Sequence, residues 1–594
     1  MRRKVKFISR MIWRDNKNLL PISLLQVPLR VFLPWVQIFL TRTLVEGIEK
    51  HYPISRYVAE LCCIFLLQII LNAVKEWMTA TAEWDSKLLV HSMLTPLDRK
   101  TLTTDYGNVE GMEGQRLRQK ALHAVYSFGQ SVITAGISFM VNLCGLLLYG
   151  LTVGDCSAAV LVIVTVTTLG EYFVSIQLHR YEQKQKETLA DCDRKMKYLE
   201  NEGIFLQSAR EIRLYDMSLM LTDLYRESMD RRKKSTDQIE NRKAFTYSAE
   251  GLLALVRSLA IYFYFIYLVM EGQLSTGNFV LMAGMAAGFS TWLKDLIGNI
   301  GEFRRLAPYL DDYFLWLDMP EKMQKEEFYD IPPLEDGPEL IFEHIHFRYE
   351  GKNKDTLKDI SFVVNPGEKI AIVGENGAGK TTFVKLLTGL YSPDSGRIFL
   401  NGEDITKYHS GFYIRQLAVV FQDIFLLPMD IAGNVSSQTA SRRDKKKVEQ
   451  SLMSAGIYDK IQKLPKGIFT PMQKSVREDG IDLSGGEQQK VILAKAIYKG
   501  GAILVLDEPT AALDPIAEND IYKKYNLLTQ GMTSFFVSHR LSSTIFCDKI
   551  ILLDHGRIAE MGTHKELLEK QGKYWEMFRL QSQYYTENAK DGHE

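Results

Sequence analysis

The sequence predicts two fold classes in tandem: an all-α transmembrane domain of six helices, then an α/β domain with a P-loop. Three observations predict it. Six apolar runs, each long enough to cross about 30 Å of hydrocarbon, lie before residue 318. A strand-like run, a glycine-rich turn and a helical pattern follow one another between Ile370 and Leu390. Strand and helix patterns then alternate towards the C-terminus.

Composition sets the outer bounds. A chain of 594 residues holds more than one domain. Its 72 Lys and Arg balance 72 Asp and Glu, so no basic excess points to a nucleic-acid partner. The mean hydropathy of -0.11 averages an apolar first half with an ordinary α/β second half. The six cysteines suggest no disulfide framework: Cys62 and Cys63 are neighbours in an apolar run, and all six read as small apolar filler.

The first span is Leu19–Leu40, behind a Lys- and Arg-rich N-terminus. It is too long for a signal peptide, contains Pro21, Pro28 and Pro34, and lacks a small-residue cleavage site. The others are Tyr57–Met78, Phe128–Tyr149, Ala158–Gln177, Gly251–Met270 and Phe279–Ile300. The connections Leu151–Ser157 and Glu271–Asn278 are short and carry no Lys or Arg. Thr79–Ser127 and Leu178–Glu250 are long and charged, and the second includes Arg231, Arg232, Lys233 and Lys234. Arg42, Lys50 and Arg56 in the first connection weaken this asymmetry without reversing it. The positive-inside bias puts the N-terminus, both long segments and the C-terminal half in the cytosol. With no recognisable transit segment, the expected compartment for a bacterial chain is the plasma membrane. Spaced apolar residues among the charges, such as Leu199, Ile204, Phe205, Ala209, Ile212 and Leu214, predict helical stalks running on from the spans.

Arg30, Glu171, Arg257, Lys294 and Asp295 fall inside the apolar runs. Ionisable groups are expensive there and tend to face a bundle interior or a watery cavity. Glu171 lies about mid-span, and Arg257 lies on the next, otherwise apolar and aromatic-rich helix, so the two could pair; they either line a substrate path or form a buried pair or snorkel near a helix end.

These boundaries give a transmembrane domain over 1–318, a polar, proline-bearing linker over 319–339 and an α/β domain over 340–594. Within the last, Gly374-Glu375-Asn376-Gly377-Ala378-Gly379-Lys380-Thr381-Thr382 follows the strand-like Ile370–Val373 and opens a helix. Glycines let backbone N–H groups turn towards phosphates, and the helix that follows offers its positive end. Lys380 can reach the β- and γ-phosphates, and the Thr381 hydroxyl can ligate Mg²⁺. A second strand, Ala502–Leu506, delivers Asp507 and Glu508 at its C-terminal end, where such a sheet presents a metal ligand and a general base. Between them, Leu483-Ser484-Gly485-Gly486-Glu487-Gln488-Gln489 puts small residues before another helix. One domain has no evident need of two phosphate cradles, so one of them suggests a nucleotide held by a second copy.

These residues closely resemble the ATP-binding cassette (ABC) family. Gly374–Thr382 resembles its Walker A loop, Ile503–Glu508 its Walker B strand and Leu483–Gln489 its signature motif. Gln422 resembles the Q-loop glutamine, Ala512-Leu513-Asp514 the D-loop, His539 the switch histidine and Tyr349 the aromatic residue that stacks on adenine. The first half resembles, more loosely, the membrane domain of ABC exporters. Thr104–Glu110 and Arg210–Tyr215 resemble the two coupling-helix regions, and Glu271–Gly277 the loop before span six. Ser475–Gly480 resembles the segment before the signature but carries Arg477 where glycine is usual.

The resemblance implies an ATP-driven exporter half-transporter working as a homodimer or with a second half-transporter, on a small-molecule, lipid or peptide substrate. It implies ATP and Mg²⁺ as ligands. Tyr349, the loop from Gly374 to Thr382 and Ser484, Gly485, Gly486 and Glu487 would bind nucleotide. Thr381, Gln422 and Asp507 would hold the metal, and Glu508, His539 and Gln422 would serve catalysis. An ABC-type channel or regulator, and the catalytic half of a heterodimer, are the alternative readings.

Overall fold

The computed structural model describes residues 2–15, 17, 19–204, 206–321, 334, 337–408, 410–508, 525, 529 and 531–587. It divides into two compact units, one of residues 1–102 with 116–318 and one of 103–115 with 319–594. Most of the segment read as a linker, and all of Ala512–Asp514, lie outside the described residues.

The first unit is helical. After α1 (Arg2–Asp15) come α2 (Leu19–Glu49), α3 (Ile54–Thr103), the short α4 (Tyr106–Glu110) that belongs to the second unit, α5 (Met112–Cys156), α6 (Ala158–Ile204), α7 (Leu206–Leu214), α8 (Ser218–Met270) and α9 (Thr276–Leu317). At about 1.5 Å per residue, the 53 residues of α8 run about 80 Å, far beyond a bilayer's apolar thickness. The stalk-like extensions read from the charged segments are therefore continuous helix.

Among the described residues, five helices are long and apolar enough to cross a membrane: α2, α3, α5, α6 and α8. The sixth expected span lies within α9, which runs 42 residues. Gly, Ser and Thr, with Lys294 and Asp295, dilute its apolar stretch below that of the other five. A second difference concerns Leu151–Ser157, expected as a loop. Helix α5 continues to Cys156, and Ser157 alone separates it from α6. Polar residues did not end the helix because Thr152 turns its hydroxyl back to the Leu148 and Tyr149 carbonyls. Tyr149, Val153, Val164, Ile261, Phe265 and Phe289 bury a core among α5, α6, α8 and α9.

The second unit is α/β. Its main sheet has the order β10-β9-β3-β8-β7-β6, formed by β3 (Lys369–Val373), β6 (Leu417–Val420), β7 (Ile503–Asp507), β8 (Thr533–Ser538), β9 (Lys549–Asp554) and β10 (Arg557–Gly562). All its pairings are parallel except β9 with β10. Parallel strands covered on both faces read as unbroken apolar runs, as in Ile370–Val373 and Ile503–Leu506. A smaller antiparallel sheet joins β1 (Leu340–Phe347), β2 (Leu357–Val364), β4 (Ser395–Leu400) and β5 (Glu403–Asp404). Strands β3 and β7 end side by side with β8, so the loops after them converge.

Candidate active site

The phosphate-type loop follows β3 and ends at α10 (Lys380–Leu387). Gly374, Gly377 and Gly379 hold φ values of 150°, 83° and 108°. A side chain at Gly374 would run into the Leu553 carbonyl oxygen, so glycine is needed there for space as well as for conformation. Buried Lys380 donates from Nζ to the carbonyls of Gly374 (2.9 Å) and Glu375 (3.1 Å), lashing the loop to its own helix. Burial lowers the lysine's pKa, against the pull of Glu508 and Asp507. The adjacent Thr381 is exposed on the first turn of α10.

Strand β7 ends at Asp507, 4% exposed. Its carboxyl is pushed up to about 6, first by burial and then by the neighbouring Glu508 charge, with Lys380 opposing. Glu508 sits in the left-handed region at φ 47° and donates its N–H to the Val537 carbonyl at 3.0 Å. Such a conformation is uncommon for a non-glycine residue and clusters at functional sites. It is accompanied by two contacts. Gln422 Nε2 donates to Glu508 Oε2 at 3.1 Å, and His539 Nδ1 lies 3.2 Å from Glu508 Oε1. Two residues more than a hundred positions apart thus meet on one carboxylate.

One supporting residue was missed from the sequence. Gln581, on the helix Lys573–Glu587, donates to the His539 carbonyl (2.8 Å) and accepts from the Leu541 N–H (2.9 Å), fixing the turn that carries the histidine. It belongs to no motif and is recognisable only from the fold.

Tyr349, two residues past the end of β1, shares a hydrogen bond of 3.1 Å between its hydroxyl and Thr382 Oγ1. Its ring is thereby tied to the loop's helix. Ser484 caps the helix Gly485–Lys499 in a capping box with Glu487, whose Oε2 accepts the Ser484 N–H at 3.0 Å. Glu487 also pairs with Lys460, so its carboxylate is committed to holding this helix end. Among the described residues no hydrogen bond joins Ser484–Gly486 to Gly374–Thr382. Arg477 pairs with Asp479 at 3.1 Å, and Asp479 with Lys466 at 2.9 Å.

The residues present fit Mg²⁺ with a nucleotide. That ion needs few protein ligands, one or two carboxylates or hydroxyls beside phosphate oxygens. Asp507 offers a buried carboxylate whose charge a cation would offset, and Thr381 an exposed hydroxyl.

The first unit contains a cavity of about 870 Å³ among α2, α3, α5, α6 and α9. Arg30, Asn72, Lys75, His179, Lys294 and Asp295 are among its lining residues. Glu171 and Arg257 do pair, at 2.6 Å, but neither lines the cavity. Arg257 also reaches Thr168 (3.4 Å), and Lys294 bonds Glu250 at 2.7 Å and lies 4.0 Å from Glu171. The pair is a buried bridge among α6, α8 and α9, while Arg30, Lys294 and Asp295 face the open space.

Residues 357–511 match the family model for the ABC transporter. A protein of Ralstonia nicotianae named ATP-dependent lipid A-core flippase is 40% identical over 245 residues, 41% of this chain and 41% of that protein. Proteins of the same name from Hahella chejuensis and Xanthomonas campestris pv. campestris are 33% identical over 312 residues and 30% over 377, covering 52% and 63% of each chain. The matches thus span from 41% to 63% of these curated relatives. A solved bacterial Atm1-family ABC exporter with ATP bound superposes with a TM-score of 0.77 at 21% identity, over 95% of this chain and 98% of that one. Residues 357–511 thus carry the match to the ABC transporter family, and the whole chain shares the fold of that solved exporter: a unit of long apolar helices followed by one α/β unit.

Proposed function

We propose that this chain hydrolyses ATP to export an amphiphile with a polar, charged head, working as a dimer in the plasma membrane with the N-terminus and cassette in the cytosol. The observation that carries the reading is the convergence of Gln422 and His539 on Glu508, beside Asp507 and the Lys380 loop. Glu508, oriented at both carboxylate oxygens, is the general base that takes the proton of the attacking water. Lys380 exchanges the Gly374 and Glu375 carbonyls for phosphate oxygens, and the loop amides hold the rest. Asp507, Thr381 and Gln422 would hold Mg²⁺, which when bound would neutralise charge on the transferring phosphoryl group. Tyr349 stacks on the adenine.

Ser484, Gly485 and Gly486 have no role towards their own loop, which supports a head-to-tail pair in which each copy closes over the other's nucleotide. Closure is favoured because the closed pair binds ATP better. Glu487 keeps that helix end in shape rather than touching nucleotide. For the substrate, the support is a large cavity with cations and carboxylates inside an apolar bundle, together with the flippase names of the relatives. A lipid with an ionised head suits both. A heterodimer is the second reading, favoured by Arg477 in the position where glycine is usual.

The test is ATPase activity of the purified chain alone in lipid, beside Glu508→Gln. Activity lost in the variant supports a self-sufficient homodimer. No activity from a folded, ATP-binding wild-type chain turns the reading towards a missing partner. Undiminished turnover in the variant removes Glu508 from the base role.

A further inference from the structure

The short helix α4 carries Glu110, and its segment packs as part of the second unit. Both carboxylate oxygens of Glu110 are taken by cassette residues. Lys385 Nζ lies 2.6 Å from Oε1, and the Tyr391 hydroxyl donates to Oε2 at 2.6 Å. Burial raises the Glu110 pKa, but the bonds from Lys385 and Tyr391 outweigh it and leave the carboxyl below its ordinary range. The contact is therefore a charged one at neutral pH.

Those two partners also stand against the Tyr349 ring, beside Phe347 and Lys352. Lys385 Nζ sits 5.4 Å from the Tyr349 centroid, within cation–π reach. Tyr391 meets Tyr349 edge-on, with centroids 5.6 Å apart at 84°. Tyr106, one turn before Glu110, meets Tyr391 in the same way at 5.8 Å and 86°. Gly107 lies between them, where a side chain would come within 3.0 Å of the Tyr391 ring.

We infer that Glu110 is a positioning residue for the nucleotide base: through Lys385 and Tyr391 it immobilises the Tyr349 ring, so that base stacking and docking of residues 103–115 are thermodynamically linked. The inference rests on the reading of Tyr349 as the adenine platform. A ring already held loses little freedom when a base stacks on it, and this preorganisation appears as affinity. Linkage is reciprocal, so a stacked base strengthens docking of the segment by the same factor. The phosphates bind elsewhere, to the loop amides and Lys380, and are indifferent to Glu110.

The experiment compares binding of Mg-ATP and of Mg-tripolyphosphate, which lacks the base, to the full-length chain in lipid. Glu110→Gln should weaken ATP about three- to tenfold and leave tripolyphosphate within about twofold. Tyr391→Phe, which removes one hydroxyl and keeps the ring, should reproduce part of the loss, and Glu110→Asp should restore part of the affinity. Hydrogen exchange over residues 103–115 should slow with ATP and not with tripolyphosphate. Tyr349→Ala separates the two layers of the argument. If it leaves ATP affinity unchanged, the platform reading fails. If it weakens ATP while Glu110→Gln and Tyr391→Phe do not, or weaken both ligands equally, the role of Glu110 is overturned and the platform stands.

Discussion

Asp507→Asn should make the nucleotide-free protein more stable. The carboxyl is pushed from an ordinary 3.8 up to about 6, and the side chain is almost fully enclosed. The sign follows from an acid whose folded value is raised. The neutral form suits the fold, so the ionised form costs stability, and that cost is absent below the ordinary value and complete above about 6. The displacement corresponds to about 3 kcal/mol at neutral pH and above. For a unit of this size about 1 kcal/mol moves a melting temperature by roughly 2–4 °C. Asp507→Asn should therefore melt about 6–12 °C higher than wild type at pH 8, in EDTA and without nucleotide. About half of that advantage should be gone by pH 5, where the wild-type carboxyl is itself largely neutral. The assay is intrinsic-fluorescence melting of both full-length proteins across that pH range. Using the pH dependence cancels any constant difference between amide and acid. Equal melting at pH 8, or a gap that does not narrow towards pH 5, would refute the idea that this carboxylate is held at the fold's expense. Mg-ATP should then stabilise wild type far more than the variant.

Further outcomes follow from the same geometry. Glu508→Gln should retain ATP binding and lose hydrolysis by at least about a hundredfold, read by nucleotide binding beside phosphate release. Gly374→Ala meets both a glycine-type φ and the Leu553 carbonyl, so loop distortion of roughly 1–3 kcal/mol should appear as weaker ATP binding in titration. Glu171→Gln or Arg257→Gln alone leaves a buried charge and should destabilise by about 3–5 kcal/mol. The double substitution should recover much of that in thermal melts; a double variant no better than the singles would mean that the two residues do not act as a pair.

The parts of the fold written in local periodicity were legible from the sequence. Ile370–Val373 and Ile503–Asp507 are apolar runs ending in diagnostic residues, and both became parallel strands of one sheet, on either side of β8. The convergence of Gln422, Glu508 and His539 was expected only through family resemblance, since no local pattern brings residues that far apart in sequence together. What could not be read depended on tertiary packing. Gln581 holds the His539 turn from a C-terminal helix with no motif. Thr104–Glu110 is marked only by resemblance, and nothing local shows that Tyr106 and Glu110 meet Tyr391 and Lys385 until the fold sets them together. Conversely, polarity misled at Leu151–Ser157, because a threonine that satisfies itself on the preceding turn does not break a helix. Glu171 and Arg257 could be foreseen as partners, but only the cavity's outline separated them from Arg30 and Lys294.

The single residue between α5 and α6 has a practical side. Ser157 is buried, and its hydroxyl donates to the Tyr264 hydroxyl at 3.0 Å, so that end of the helix pair offers neither slack nor a handle. An epitope inserted there would have to unwind two long helices. The Glu271–Ser275 turn is different: Gly272 is exposed, with nothing within 4 Å of where a side chain would grow. A reporter of sidedness belongs in that turn, where it can be read out without disturbing the bundle it reports on.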